Sequence, residues 1–176
     1  MVETLVRGRA TRGVDAATRR LVAGRVRQAL RALGRARSSA TLVFTDDDEI
    51  RALNRRYRTF DRATDVLSFH LQELAGEDDP AGVGVHLGDI VISVETARRR
   101  AAGKRLPSEL QRLAIHGLCH LFGHDHKRPG EARVMFALER RLRRLPATRM
   151  RIAKPGGKTS PEPGPKSGPK SGPKKS

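Results

Sequence analysis

The sequence predicts an α+β domain of about four strands and four or five helices over residues 1–150, followed by a disordered basic tail over residues 151–176. Short apolar runs bounded by turn residues alternate with longer stretches whose apolar positions recur at helical spacing. No Rossmann or P-loop glycine fingerprint accompanies the strands. Near residue 153 the composition changes to a Gly-Pro-Lys-Ser repeat that has almost nothing to bury and too much proline for a helix.

The elements follow in order. Glu3 to Arg7 reads as a short first strand. Asp15 to Leu33 is an amphipathic helix with Leu21, Val22, Val26, Leu30 and Leu33 on one stripe. Ala40 to Phe44 is a compact apolar strand. Asp46 and Glu49 have capping-box spacing and open a helix through Ile50, Leu53 and Asn54. Val66 to Phe69 and Leu87 to Ser93 are two further strands, separated by an acidic loop from Glu73 to Pro80. Thr96 to Ala102 is a helix ending near Gly103. Pro107 opens the next, because proline suits a helix's first turn; Leu110, Leu113, Ala114 and Leu118 give it an apolar face. Glu131 to Leu145 closes the domain with Val134, Leu138 and Leu142 on a stripe.

At 176 residues the chain can bury a real core. With no Trp, one Tyr and five Phe, that core must rest on Leu, Val, Ile and Ala. The formal net charge of +17 points to a polyanionic partner such as nucleic acid, or to a membrane surface, and RNA or DNA contact is favoured over a merely soluble basic protein. The tail contributes six lysines against one glutamate, and the body stays basic without it. Most of the body's cations are arginines, whose planar fork suits phosphate. The tail either adds sequence-independent attraction to a phosphate backbone or is a plain solubilising extension. A single cysteine, Cys119, fits a reducing compartment. The charge-broken start lacks a signal peptide's apolar stretch, no segment is long enough to span a bilayer, and the expected location is cytoplasmic.

The most informative run is His116-Gly-Leu-Cys-His120-Leu-Phe-Gly123-His-Asp-His126. A helix puts His116 and His120 on one face, one turn and roughly 6 Å of rise apart. Gly123 lets the chain leave the helix, and His126 can then swing back as a third nitrogen. On a continuing helix His124 would lie about 12 Å along the axis from His116, so His126 is the better third ligand. Three neutral imidazoles with an open fourth position describe a catalytic zinc site. The spacing equals that of the metzincin proteases, but Gly117 stands where those carry the glutamate base.

The same residues resemble the YbeY family of bacterial rRNA maturation endoribonucleases. The resemblance rests on His116-Gly-x-x-His120-Leu-x-Gly123-x-Asp125-His126 together with two further blocks in family order. One runs from Asn54 through Tyr57, Arg58, Asp61, Thr64 and Asp65 to Phe69; the other is Leu87-Gly-Asp-Ile-Val-Ile-Ser93. The matched body runs from about residue 3 to residue 145. His124 stands where the family usually has Tyr, Cys119 where it has Leu, and Ala63 where proline is common. The resemblance implies a central mixed sheet with the metal site at the end of a helix. It implies one zinc ion held by His116, His120 and His126. It also implies hydrolysis of single-stranded RNA, with a role in maturing the 3′ end of 16S rRNA, in ribosome quality control and in contact with the small ribosomal subunit or its proteins. Arg58, matching the family's Tyr-Arg pair, is then the group expected to stabilise phosphate charge. Asp125 is expected either to orient an imidazole or the local turn, or to cap the broken helix. Asp65 and Asp89 are carboxylate candidates for the proton transfer, with the fixing of turns at strand ends as the alternative for both. His70 and His86 read as strand-end surface residues, and Cys119 as a core residue off the His116/His120 direction. Two other functions compete: a ribosome assembly factor whose metal is mainly structural, and a metalloprotease-like hydrolase, the weaker because of Gly117.

Overall fold

A computed structural model describes residues 1–9, 14–71, 84–103 and 105–146. The acidic loop expected over Glu73 to Pro80 and the basic tail both lie outside the described residues. The elements run β1 (Val2–Val6), α1 (Ala16–Ala32), β2 (Ser39–Thr45), α2 (Asp47–Arg58), β3 (Val66–His70), β4 (His86–Ser93), α3 (Val94–Ala101), α4 (Leu106–Leu121) and α5 (Pro129–Arg143). The fold is α+β, as expected, and each expected element is present with ends moved by a few residues.

The four strands form one mixed sheet in the order β1-β2-β4-β3. β1 and β4 run parallel to β2, whereas β3 is antiparallel to β4. Central β2 is buried from Ala40 through Thr45. That explains why it does not alternate apolar with charged residues, since a strand covered on both faces has no solvent side to show. Leu42 and Phe44 of β2, with Ile90 and Ile92 of β4, pack into the main core against α1 and α4. Val43, Leu67 and Val91 point to the opposite face, where Ile50 of α2 covers them.

Capping chemistry sets the helix starts. The Asp15 carboxylate accepts from the Thr18 amide at 2.7 Å. The Asp46 carboxylate accepts from the Glu49 amide at 3.0 Å. The second cap is half a capping box. Glu49 does not reach back to the cap amide; it accepts from the Thr45 hydroxyl at 2.5 Å. Two apolar stripes differ from expectation. Leu21 is 52% exposed, and α1 buries Val22, Ala23, Val26, Ala29 and Leu30 instead. Val134 is 58% exposed, and α5 turns Met135, Glu139 and Leu142 inward. In both helices the contact face is rotated by about one residue, a shift that apolar periodicity alone cannot fix while an apolar residue flanks the stripe.

Gly117 has a packing reason. A Cβ there would stand 2.5 Å from Ile90 Cγ2 and 3.0 Å from Ser68 Oγ. The missing side chain lets α4 lie directly on β3 and β4, and the Ser68 hydroxyl donates to the Gly117 carbonyl at 3.1 Å. Position 117 therefore faces the sheet.

Candidate metal centre and its cleft

The site begins with how α4 ends. The Gly123 amide donates to the His120 carbonyl at 2.9 Å and the His124 amide to the Cys119 carbonyl at 3.1 Å. This pairing satisfies the last carbonyls and requires a left-handed residue between them. Gly123 supplies it at φ 76°. Nothing lies within 4 Å of where its Cβ would be. Conformation and not space therefore demands glycine. The chain then doubles back. The Asp125 carboxylate accepts from the His126 amide at 2.7 Å and pairs with Lys127 at 3.0 Å. The Lys127 bond first, then the His126 amide, holds the Asp125 carboxyl down at about 2. Asp125 thus shapes the turn that delivers His126.

His116, His120 and His126 converge, with one ring nitrogen from each lying within 4.8 Å of the others. The Nε2 atoms of His116 and His120 are 3.3 Å apart. Two ligands at the zinc–nitrogen bond length, about 2.05 Å, with tetrahedral geometry stand about 3.3 Å apart, so the donor set fits such an ion. Two lone pairs aimed at each other repel unless a proton or a cation lies between them. The second nitrogens show which is favoured. The His116 Nδ1–H donates to Glu139 Oε2 at 3.2 Å. That bond leaves Nε2 as the acceptor facing the cleft. The His120 ring also hydrogen-bonds the backbone of His124. Burial first, and then the His116 and His126 rings, push the His120 pKa down to about 4. It is therefore neutral and ligand-competent at physiological pH. His126 is exposed, its ring 5.5 Å from that of His116 and stacked at 11° against Phe136 on the other side.

Glu139 is a functional candidate that sequence reasoning missed. Burial alone would raise its carboxyl; the hydrogen bond and charge of His116, with Arg143 and Arg112, outweigh burial and lower it. Its trace in the sequence is faint: an acidic residue four after buried Met135 and three before buried Leu142.

The histidines share a cleft with Arg58, Arg100, Arg112, Asp65 and Phe60. The Arg58 Nη2 donates to the Ser68 carbonyl at 3.3 Å, which ties the end of α2 to β3. Arg112 stands one helical turn before His116 on the same face of α4. Its Nε and Nη2 grip buried Glu109 at 2.6–3.1 Å. That bond, against the cost of burial, raises the Arg112 pKa. Arg100 of α3 pairs with Asp65, and the Asp65 carboxylate also accepts from the Val66 amide at 3.1 Å. Arg112 could have been found from its spacing to His116. Arg100 could not, because only the packing of α3 brings it to Asp65.

The remaining candidates lie apart from the three-histidine cluster. Asp89 is outside the cleft lining, 3.6 Å from His86. His86 also meets the Ser39 hydroxyl at 3.1 Å. His70 is exposed at the end of β3 and donates to the His120 carbonyl at 2.5 Å. His124 lines a different hollow, with Gly123, Lys127 and Glu131. Cys119 is fully buried, and its thiol is pushed up to about 12, mainly by burial.

A Thermotoga maritima protein, TM1509, known from a solution structure, matches with a TM-score of 0.55 and 22% identity over 81% of this chain and 87% of that one, which shows a shared fold. The endoribonuclease YbeY of Anaeromyxobacter dehalogenans is 47% identical over 130 residues, covering 73% of this chain and 64% of the relative. That of Anaeromyxobacter sp. is 50% identical over 117 residues, covering 65% and 58%. That of Aquifex aeolicus is 46% identical over 110 residues, covering 61% and 69%. The chain thus spans less than two thirds of the length of the two Anaeromyxobacter relatives. The family profile described as Endoribonuclease YbeY matches residues 9–145, a span that takes in every residue of the histidine cleft, so the chain belongs to the YbeY family.

Proposed function

We propose that this chain is a metal-dependent endoribonuclease that cleaves single-stranded RNA, with the 3′ region of 16S rRNA as its target, on or near the small ribosomal subunit. The observation that carries the reading is the convergence of three imidazoles in a cleft lined by three arginines. The names of the relatives support the nuclease class, and the +17 charge supports a polyanionic substrate. Residues 1–150 carry the activity in this reading, and the tail of residues 151–176 strengthens attraction to RNA. Among the described residues no helix is long and apolar enough to cross a membrane. A cytoplasmic location is part of the same proposal.

His116, His120 and His126 hold the ion, for which zinc is the expected identity. When bound, such an ion supplies Lewis acidity toward a phosphoryl oxygen and a water of lowered pKa. The protein's own residues do the rest. Glu139 keeps the His116 proton on Nδ1. Arg58 binds the scissile phosphate and offsets the charge that builds on it. Arg112, held by Glu109, and Arg100, held by Asp65, carry further positive charge along the cleft. With its carboxylate committed to Arg100 and the Val66 amide, Asp65 serves as an anchor for arginine rather than as a proton acceptor. Gly117 adds a structural argument against the protease alternative. Its position faces Ile90 and Ser68, so a glutamate there would be driven into the sheet.

The test is cleavage of single-stranded RNA by the purified full chain beside its His116→Ala and Arg58→Ala variants. The wild type cleaves, His116→Ala does not, and Arg58→Ala is slower by about 100-fold, the usual cost of one transition-state charge contact. Equal cleavage by all three would overturn the reading. RNA binding without cleavage would favour the assembly-factor function.

A further inference from the structure

We propose that Phe60 is a stacking shelf for one unpaired nucleobase of the RNA strand, set beside the phosphate held at Arg58. This deepens the endoribonuclease reading and rests on it.

Aromatic residues are scarce here, 3% of the chain, and a hydrophobic economy would bury them. Phe44 is buried in the core, whereas Tyr57, Phe60 and Phe136 are exposed, and of these three only Phe60, at 57%, lines the histidine cleft. An apolar residue just beyond a helix end is usually explained by contact with the helix's last turn. Phe60 holds that position: Thr59 is left-handed, and the Phe60 amide donates to the Asn54 carbonyl at 3.4 Å. Its ring nevertheless remains open to solvent, so helix capping does not account for the side chain. The guanidinium of Arg62 lies 5.6 Å from the ring centroid, and Arg62 is not among the residues lining the cleft. The Arg62 cation thus lies against the ring, and Phe60 still lines the cleft.

A planar apolar face beside guanidinium groups is the pairing that single-stranded nucleic acids meet in their binding proteins: arginine for the backbone, aromatic for the base. Duplex RNA keeps its bases stacked on each other and has none to offer. The shelf would therefore contribute to preference for single strands as well as to affinity. No hydrogen-bonding edge is required, so the contact is tolerant of base identity.

The experiment measures binding of a short single-stranded RNA to the metal-loaded full chain by fluorescence anisotropy, with RNA integrity checked on a gel afterwards. A parallel set of RNAs carries one abasic nucleotide at each position in turn. Phe60→Leu is expected to weaken binding of intact RNA by roughly 10-fold or more, and Phe60→Tyr to retain it. At one position the abasic nucleotide should weaken binding to the wild type by a similar factor and cost Phe60→Leu nothing further. Because Phe60 is exposed, the unfolding midpoint of Phe60→Leu should match the wild type, which separates lost stacking from lost fold. If wild-type protein cleaves RNA and no abasic position couples to Phe60, the shelf is overturned while the nuclease reading stands. If the wild type neither binds nor cleaves RNA, both fall.

Discussion

Replacing Gly117 with alanine sets two effects of opposite sign against each other. An alanine in a helix interior is favoured over glycine by about 1 kcal/mol. Against that, the new methyl would lie 2.5 Å from Ile90 Cγ2. Carbon pairs normally sit about 3.5–4.0 Å apart, so about 1 Å must be found. The residues in the way yield poorly. Ile90 is β-branched and fully buried, and Ser68 is held by its hydrogen bond to the Gly117 carbonyl. Overpacking of this size costs roughly 1–3 kcal/mol, so Gly117→Ala should be destabilising by up to roughly 2 kcal/mol once the propensity gain is subtracted. A displacement of α4 from the sheet also moves His116, the next residue back, relative to His126. Urea unfolding of the metal-free protein gives the first effect, as a lower midpoint at unchanged slope. Metal titration gives the second, as weakened affinity. A Gly117→Ala midpoint above the wild type would refute the reasoning, because propensity would then have won and position 117 would not be pressed against β4.

Three other outcomes follow from the same geometry. Glu139→Gln should lower metal affinity by about 10–100-fold with little effect on the fold, since the amide still fills the space but no longer fixes the His116 proton; competition with a chelator reads it. The metal-free protein should lose stability as pH falls from about 6.5 to 4. The unfolded chain takes up the His120 proton near 6.5 while the folded state resists until about 4. The loss is on the order of 1–3 kcal/mol, is complete near pH 4, and is read by urea midpoints across that range. A flat profile there would contradict it. Thr59 sits at φ 65°. A β-branched residue is strained in that left-handed region. Thr59→Gly should therefore raise the unfolding midpoint, by up to about 1 kcal/mol after the entropy cost of glycine, and Thr59→Val should lower it.

How much was legible in the sequence depended on whether a feature was local. The Asp46 cap, the strands around Leu42 and Ile90, and the glycine-terminated helix with its three histidines all follow from spacings of a few residues. The direction of the α1 and α5 stripes did not, because Leu21 and Val134 are apolar neighbours of the true contact face and only packing decides between them. Glu139 escaped for a related reason. Its partner His116 is 23 residues away on another helix, and nothing local marks a glutamate as buried. Arg112 was visible in principle at helical spacing from His116. Arg100 meets Asp65 only because α3 lies beside the start of β3. Asp125 stood between two roles on sequence, and the amide of His126 assigned it to the turn.

The most direct test is metal titration into the chelated full chain with cleavage of single-stranded RNA as the readout, for the wild type, His124→Ala and His126→Ala. The account predicts that cleavage is absent without metal. It predicts recovery to a plateau at one equivalent in the wild type and His124→Ala, and no recovery at that level in His126→Ala. Recovery in His126→Ala but not in His124→Ala, or cleavage that persists through chelation, would contradict it.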